Sequence, residues 1–167
     1  MNALRWLDEA LARLERVIAV LLLVSTVVVV MLQVFFRFVL DDSLSWSEES
    51  ARFMFIWSAI LGFSSSVHAR RLFSFDMLFG RLSARGRRVC GAVYTLAAAG
   101  FVWVLVVDGA RLVERTTSQF SAAIGVPMAW PYAALPVGGV LVAIHLLVQL
   151  LAPAGEQGGH RPAPEGE

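Results

Sequence analysis

The chain has one cysteine in 167 residues, no lysine, and little charge of either sign. Cys90 alone can make neither an intramolecular disulfide framework nor a cysteine-rich metal centre. With lysine missing, all fourteen basic residues are arginine. They are interspersed with thirteen acids, for a net charge of +1, so no basic patch of the kind nucleic acid selects is present. Charged residues make up only 16% of the chain and hydrophobic ones 57%, with a mean hydropathy of +0.68. Soluble domains carry about 25% charge. The composition excludes an ordinary water-soluble globule and a disordered chain, and lipid is the solvent it fits.

Four windows contain no Asp, Glu, Lys or Arg: Val17–Phe36, Phe53–Ala69, Val89–Val107 and Met128–Leu151. A hydrocarbon core of ~30 Å takes ~20 helical residues. The second window is short, but Ser45-Trp46-Ser47-Glu48 has the form of a capping box, which starts that helix near Trp46. The sequence therefore predicts an all-α membrane protein with four transmembrane helices, over about 17–36, 46–69, 89–107 and 128–151. The first run exceeds the ~7–15 apolar residues of a cleaved signal peptide, and no small-x-small site follows it, so it reads as a retained signal anchor.

Orientation follows from the arginines. Arg5, Arg13, Arg16, Arg70, Arg71, Arg81, Arg85, Arg87, Arg88 and Arg161 would lie on one side, and Arg37, Arg52, Arg111 and Arg115 on the other. By the positive-inside rule both termini are expected in the cytoplasm. Trp46, Trp103 and Trp130 then form an outer interfacial belt. Residues 1–16 place Leu4, Leu7, Leu11 and Leu14 at helical spacing, with Asp8, Glu9 and Glu15 elsewhere around the helix. This predicts an N-terminal amphipathic helix lying along the cytoplasmic interface. The run Leu72–Phe79 is expected at the same interface. Asp108–Thr117 should continue the third helix, since a structureless loop from Asp108 to Pro127 would be long. The tail, 152–167, is rich in Pro, Gly and Glu and is expected to be disordered and cytoplasmic. No internal repeat is visible.

A self-sufficient ion or acid transporter usually places ionisable groups or matched helix breaks at mid-bilayer. Here no helix centre carries Asp, Glu or Arg; the polar groups are Ser25, Thr26 and Gln33, then Tyr94 and Thr95, then His145 and Gln149. His68 and His145 both fall toward the cytoplasmic ends of their helices. They leave open a bis-histidine haem, as in a membrane anchor of a respiratory enzyme, beside the plainer reading of imidazoles hydrogen-bonded between helices. No catalytic residue, metal or cofactor is otherwise expected. Glu48, Glu49 and Arg52 can pair along one face of the second helix, and both acids suit its first turn. They fit either a well-capped helix start or a polar contact to a partner subunit, with Gln33 and Arg37 at the same outer interface. Ser58/Gly62/Ser66, Gly91/Thr95/Ala99 and Ala134/Gly138/Val142 form small-residue seams that let helices approach closely, within this chain or between chains.

Several of these segments resemble one family. Gln33-Val34-Phe35-Phe36-Arg37-Phe38-Val39 is followed by Ser43-Leu44-Ser45-Trp46-Ser47-Glu48-Glu49-Ser50-Ala51-Arg52, Trp57 and Leu61-Gly62. Further on come Phe73-Ser74-Phe75-Asp76-Met77-Leu78 and Ile124-Gly125-Val126-Pro127-Met128-Ala129-Trp130, with Tyr132, Pro136 and Gly138. Together they resemble the small permease subunit of tripartite ATP-independent periplasmic (TRAP) transporters, the DctQ-like family, over about residues 1–151. The Trp-x-Glu-Glu-x-x-Arg block is the most distinctive part. The family commonly has Gly-x-His before the segment matching Phe73–Asp76; Arg70-Arg71-Leu72 stands there instead, so no role passes from that histidine to His68. The resemblance implies a four-helix subunit of the bacterial inner membrane without enzymatic activity. Its implied partners are a large permease subunit, a periplasmic substrate-binding protein and the lipid bilayer. It further implies sodium-coupled uptake of an organic acid, with substrate and sodium carried by the large subunit. Gln33, Arg37, Trp46, Glu48, Glu49, Arg52, Trp57, Gly62, Asp76 and Trp130 are its candidate partner-interface residues.

Overall fold

The computed structural model describes residues 2–42, 44–69 and 84–151. Among them the chain is helical apart from short connections and one isolated β-bridge, Phe120–Pro127. Helix α1 (Asn2–Val39) is 38 residues long, roughly 57 Å at 1.5 Å per residue. It ends in a turn in which Asp42 N–H bonds back to the Phe36 carbonyl at 3.2 Å and Asp41 takes a positive φ of 52°. Aspartate is one of the few residues other than glycine that tolerates that conformation. Helix α2 (Ser45–His68) then runs antiparallel to α1 and packs along it.

That unbroken α1 corrects the expectation of a separate interfacial helix at the N-terminus. Leu4, Leu7 and Leu14 are exposed, while Asp8, Ala12, Glu15 and Ala19 are buried. Small side chains decide which face packs. Ala12 and Ala19 let α2 come close enough for two of its serines to cross-bond. Ser58 Oγ donates to the Ala19 carbonyl at 2.9 Å, and Ser65 Oγ to the Ala12 carbonyl at 3.3 Å. Leucines at the same height would have held the backbones apart.

The capping box is not formed. Leu44 occupies the N-cap without a side-chain hydrogen bond, and Ser47 Oγ bonds back to the Leu44 carbonyl at 2.6 Å. Helix α3 (Ala84–Trp103) passes through a π-helical turn (Val104–Asp108) into α4 (Gly109–Thr116), so the third helix does continue beyond Asp108. The last apolar window divides into a single turn, α5 (Ala129–Tyr132), and α6 (Ala134–Leu151). Pro136 sits in the first turn of α6, where its missing N–H costs least.

Ala134, Gly138 and Val142 are buried along α6, so this seam packs within the chain. A Cβ at Gly138 would collide with Ile60 of α2, and one at Gly139 would stand 2.8 Å from Val106 Cγ2 in the π turn. The other two seams behave differently. Ser58 is buried, but nothing lies within 4 Å of a Cβ built at Gly62. Ala99 lines an apolar groove of about 610 Å³ between α3 and α6.

Among the described residues, three helical stretches are long and apolar enough to cross a membrane: Leu4–Val39, Thr95–Thr116 and Ala129–Leu151. The four-helix expectation thus meets three spans by composition. Helix α2, at 24 residues, has the length; its serines, Arg52 and His68 keep it less apolar than the others. Asp76, the run Leu72–Phe79 and the tail lie outside the described residues.

Candidate functional site

Polar side chains gather at the two ends of the antiparallel α1–α2 pair. At one end, the start of α2 meets the loop that joins α4 to α5. Glu48 and Arg52, one helical turn apart, form an exposed ion pair at 2.7 Å. Glu49 does not join them, against the expectation that both acids pair with Arg52. Its Oε2 accepts the Ser121 hydroxyl and the backbone N–H groups of Ala123 (3.1 Å) and Ile124 (3.2 Å). Three donors from one loop converging on a carboxylate make an anion nest.

The loop is built for that purpose. Ser121 N–H bonds the Val126 carbonyl at 2.9 Å and Met128 N–H the Gln119 carbonyl at 2.8 Å, closing a tight hairpin. Gly125 turns the corner at φ 72°, a conformation that suits glycine. Glu49→Ala is expected to leave α2 helical while amide exchange at Ala123 and Ile124 accelerates by an order of magnitude or more. Unchanged protection of those amides would show that the hairpin holds itself.

The other predicted interface residues are distributed over this end and beyond it. Gln33 is half-buried on α1, and Arg37 is exposed with its guanidinium 5.8 Å from the Phe38 ring centroid. Trp46 and Trp130 are exposed, and Trp57 is half-buried. Gly62 lies nearer the opposite end of α2. The structure brings Glu49 to the loop, and shows Trp46, Glu48 and Arg52 on the open surface.

At the opposite end, a cluster the sequence only half disclosed joins α1, α2 and α6. Asp8 is 6% exposed, Glu15 3% and His145 0%. His145 Nδ1 lies 2.6 Å from Asp8 Oδ1, and His145 Nε2 lies 3.1 Å from Glu15 Oε1. His68 Nδ1 meets the second Asp8 oxygen at 2.9 Å, and the two imidazoles stand edge to face with centroids 5.1 Å apart. Gln149 adds a bond from its Nε2 to the Val67 carbonyl at 2.9 Å. The sequence placed both histidines at helix ends but assigned Asp8 and Glu15 to a solvated face. The overlooked signal is the 4-3-4 spacing of Asp8, Ala12, Glu15 and Ala19, a helical stripe that alternates acids with small residues.

This arrangement does not support the haem alternative. A bis-histidine iron needs two imidazoles on opposite faces of a porphyrin. Here both Nδ1 atoms point at one carboxylate and the rings touch.

Long apolar helices, exposed apolar flanks and polar groups drawn to the helix ends define a helical membrane protein. Its family follows from the sequence: the family model for "Tripartite ATP-independent periplasmic transporters, DctQ component" matches residues 26–155, and the chain belongs to that family, a transporter component and not an enzyme. The sialic acid TRAP transporter small permease protein SiaQ of Vibrio cholerae is 23% identical, across 88% of this chain and 85% of its own length. A putative TRAP transporter small permease protein of Haemophilus influenzae is 25% identical, across 81% and 83%. The isethionate TRAP transporter permease protein DctMQ of Oleidesulfovibrio alaskensis is 29% identical across 88% of this chain, which spans only 24% of that longer relative.

Proposed function

We propose that this chain is the small membrane subunit of a TRAP-type secondary transporter. It braces a separate large permease subunit for sodium-coupled uptake of an organic acid delivered by a periplasmic binding protein. The match to the DctQ component over residues 26–155 carries the reading. Relatives named for isethionate and for sialic acid, both acidic solutes, support the substrate class. The long relative DctMQ, of which this chain covers 24%, supports a larger permease portion working beside a DctQ portion.

The physical side of the reading is the surface of α1. Its outer flank exposes a nearly continuous apolar face, including Leu21, Val28, Met31, Phe35 and Phe38. Acyl chains can cover such a face, and so can the helices of a larger subunit. Trp46, Glu48, Arg52 and Trp130, with Gln33, Arg37, Trp57, Gly62, Glu49 and Asp76, are the proposed contact residues. Copurification tests this. The large permease is expected to be recovered with the wild-type chain, and recovery should fall in an Arg52→Ala variant that still inserts normally. Undiminished recovery would reduce the Glu48–Arg52 pair to a solvated helix start.

The topology belongs to the same proposal: four spans, α2 among them, in the bacterial inner membrane, with both termini cytoplasmic. The ten-to-four arginine asymmetry supports it. A reporter fused after Leu151 is expected to be cytoplasmic, and a periplasmic signal would overturn the orientation.

A further inference from the structure

We propose that Asp8, His68 and His145 form a binding site for a divalent transition-metal ion of the zinc type, clamping α1, α2 and α6 together. One ligand atom from each of the three residues lies within 4.8 Å of the others. Both imidazoles present Nδ1 to the Asp8 carboxylate, at 2.6 and 2.9 Å, from helices far apart in sequence. Ligand atoms on a zinc ion, with bonds of ~2.0–2.2 Å, stand ~3.3–3.5 Å apart in a tetrahedron. The observed spacings are those of ligands held around a common point before an ion spreads them slightly.

Glu15 supplies what a ligating histidine normally has. A metal-bound imidazole donates its second ring N–H to an outer carboxylate, which fixes the tautomer and the ring plane. With His145 Nδ1 turned to the site, its Nε2 faces Glu15 Oε1 and Oε2 at 3.1 and 3.3 Å. Glu15 therefore acts as a positioning residue and not as a ligand.

Charge points the same way. Two carboxylates more than nine-tenths buried stay ionised only where positive charge stands close by. Every arginine side-chain ion pair shown goes to Glu9, Glu48 or Asp108 instead. A divalent ion on neutral imidazoles provides that charge at one point. Two nitrogens and one carboxylate oxygen suit zinc and its neighbours in the first transition series, not magnesium or calcium, which prefer all-oxygen shells. His68, 23% exposed, leaves the site open on one side for loading and for a fourth ligand from solvent.

The test uses the full chain in detergent, purified without a histidine tag, stripped with a chelator, then dialysed against zinc. Wild type is expected to retain about one zinc per chain, and cobalt to give the visible absorption of a tetrahedral site. His68→Ala, at the open edge of the cluster, should lose stoichiometric metal without losing the fold. Glu15→Gln should keep the stoichiometry and bind ~10–100-fold more weakly, whereas Glu9→Gln, exposed on the same helix, should change nothing. A wild-type chain that keeps no zinc after dialysis would overturn the proposal. So would metal content that His68→Ala leaves intact: the cluster would then be balanced by protons on its two histidines.

Discussion

Asp8→Ala is expected to cost about 3–5 kcal/mol of stability, the largest effect of any single side chain in the described structure. One carboxylate serves two histidines from two other helices, at 2.6 and 2.9 Å. Its removal leaves both Nδ1 atoms without a partner and Glu15 as the lone acid beside His145. The cost of a broken buried pair is mostly that of the charge left behind, not the worth of the contact. Asp8→Asn keeps an acceptor oxygen in place and should lose less. Denaturant unfolding of the full chain in detergent measures both, with Glu9→Ala as a control, since its pairing with Arg13 at 3.4 Å is exposed. An Asp8→Ala chain within ~1 kcal/mol of wild type would show that the cluster is well hydrated and carries little of the fold.

The same residues show what the sequence could and could not disclose. Apolar runs without charge marked α1, α3 and α6, because hydropathy over twenty residues is a one-dimensional property. The continuation through Gly109–Thr116 was legible for a different reason: long structureless loops between packed helices are uncommon. The inward face of α1 was not legible. The amphipathic pattern of residues 1–16 predicts a helix lying along the membrane interface, with leucines against lipid and acids in water. Instead the alanine stripe packs against α2, because it permits the close approach that the Ser58 and Ser65 bonds need. Asp8 and Glu15 are carried inside with it, where the imidazoles of α2 and α6 meet them.

Glu49 makes the complementary point. Local spacing pairs it with Arg52, three residues away, and only the tertiary fold brings Ser121 and the amides of Ala123 and Ile124 within its reach. Contacts across more than seventy residues leave no trace in local periodicity. The resemblance around Trp46–Arg52 identified the family but not what Glu49 does within the chain.

The ionisable residues of α1, α2 and α6 lie near helix ends: Asp8 and Glu15 at the start of α1, His68 at the end of α2, and His145 six residues before the end of α6. A bracing subunit of this kind should move no solute alone, and the large permease should work poorly without it. The decisive measurement is uptake by proteoliposomes holding this chain, the large permease, or both. The binding protein is supplied outside, loaded with a radiolabelled organic acid that it retains, under an inward sodium gradient. Uptake is expected only with both membrane subunits present, and to vanish when sodium is replaced by potassium. Uptake by this chain alone, or undiminished uptake by the large permease without it, would contradict the account.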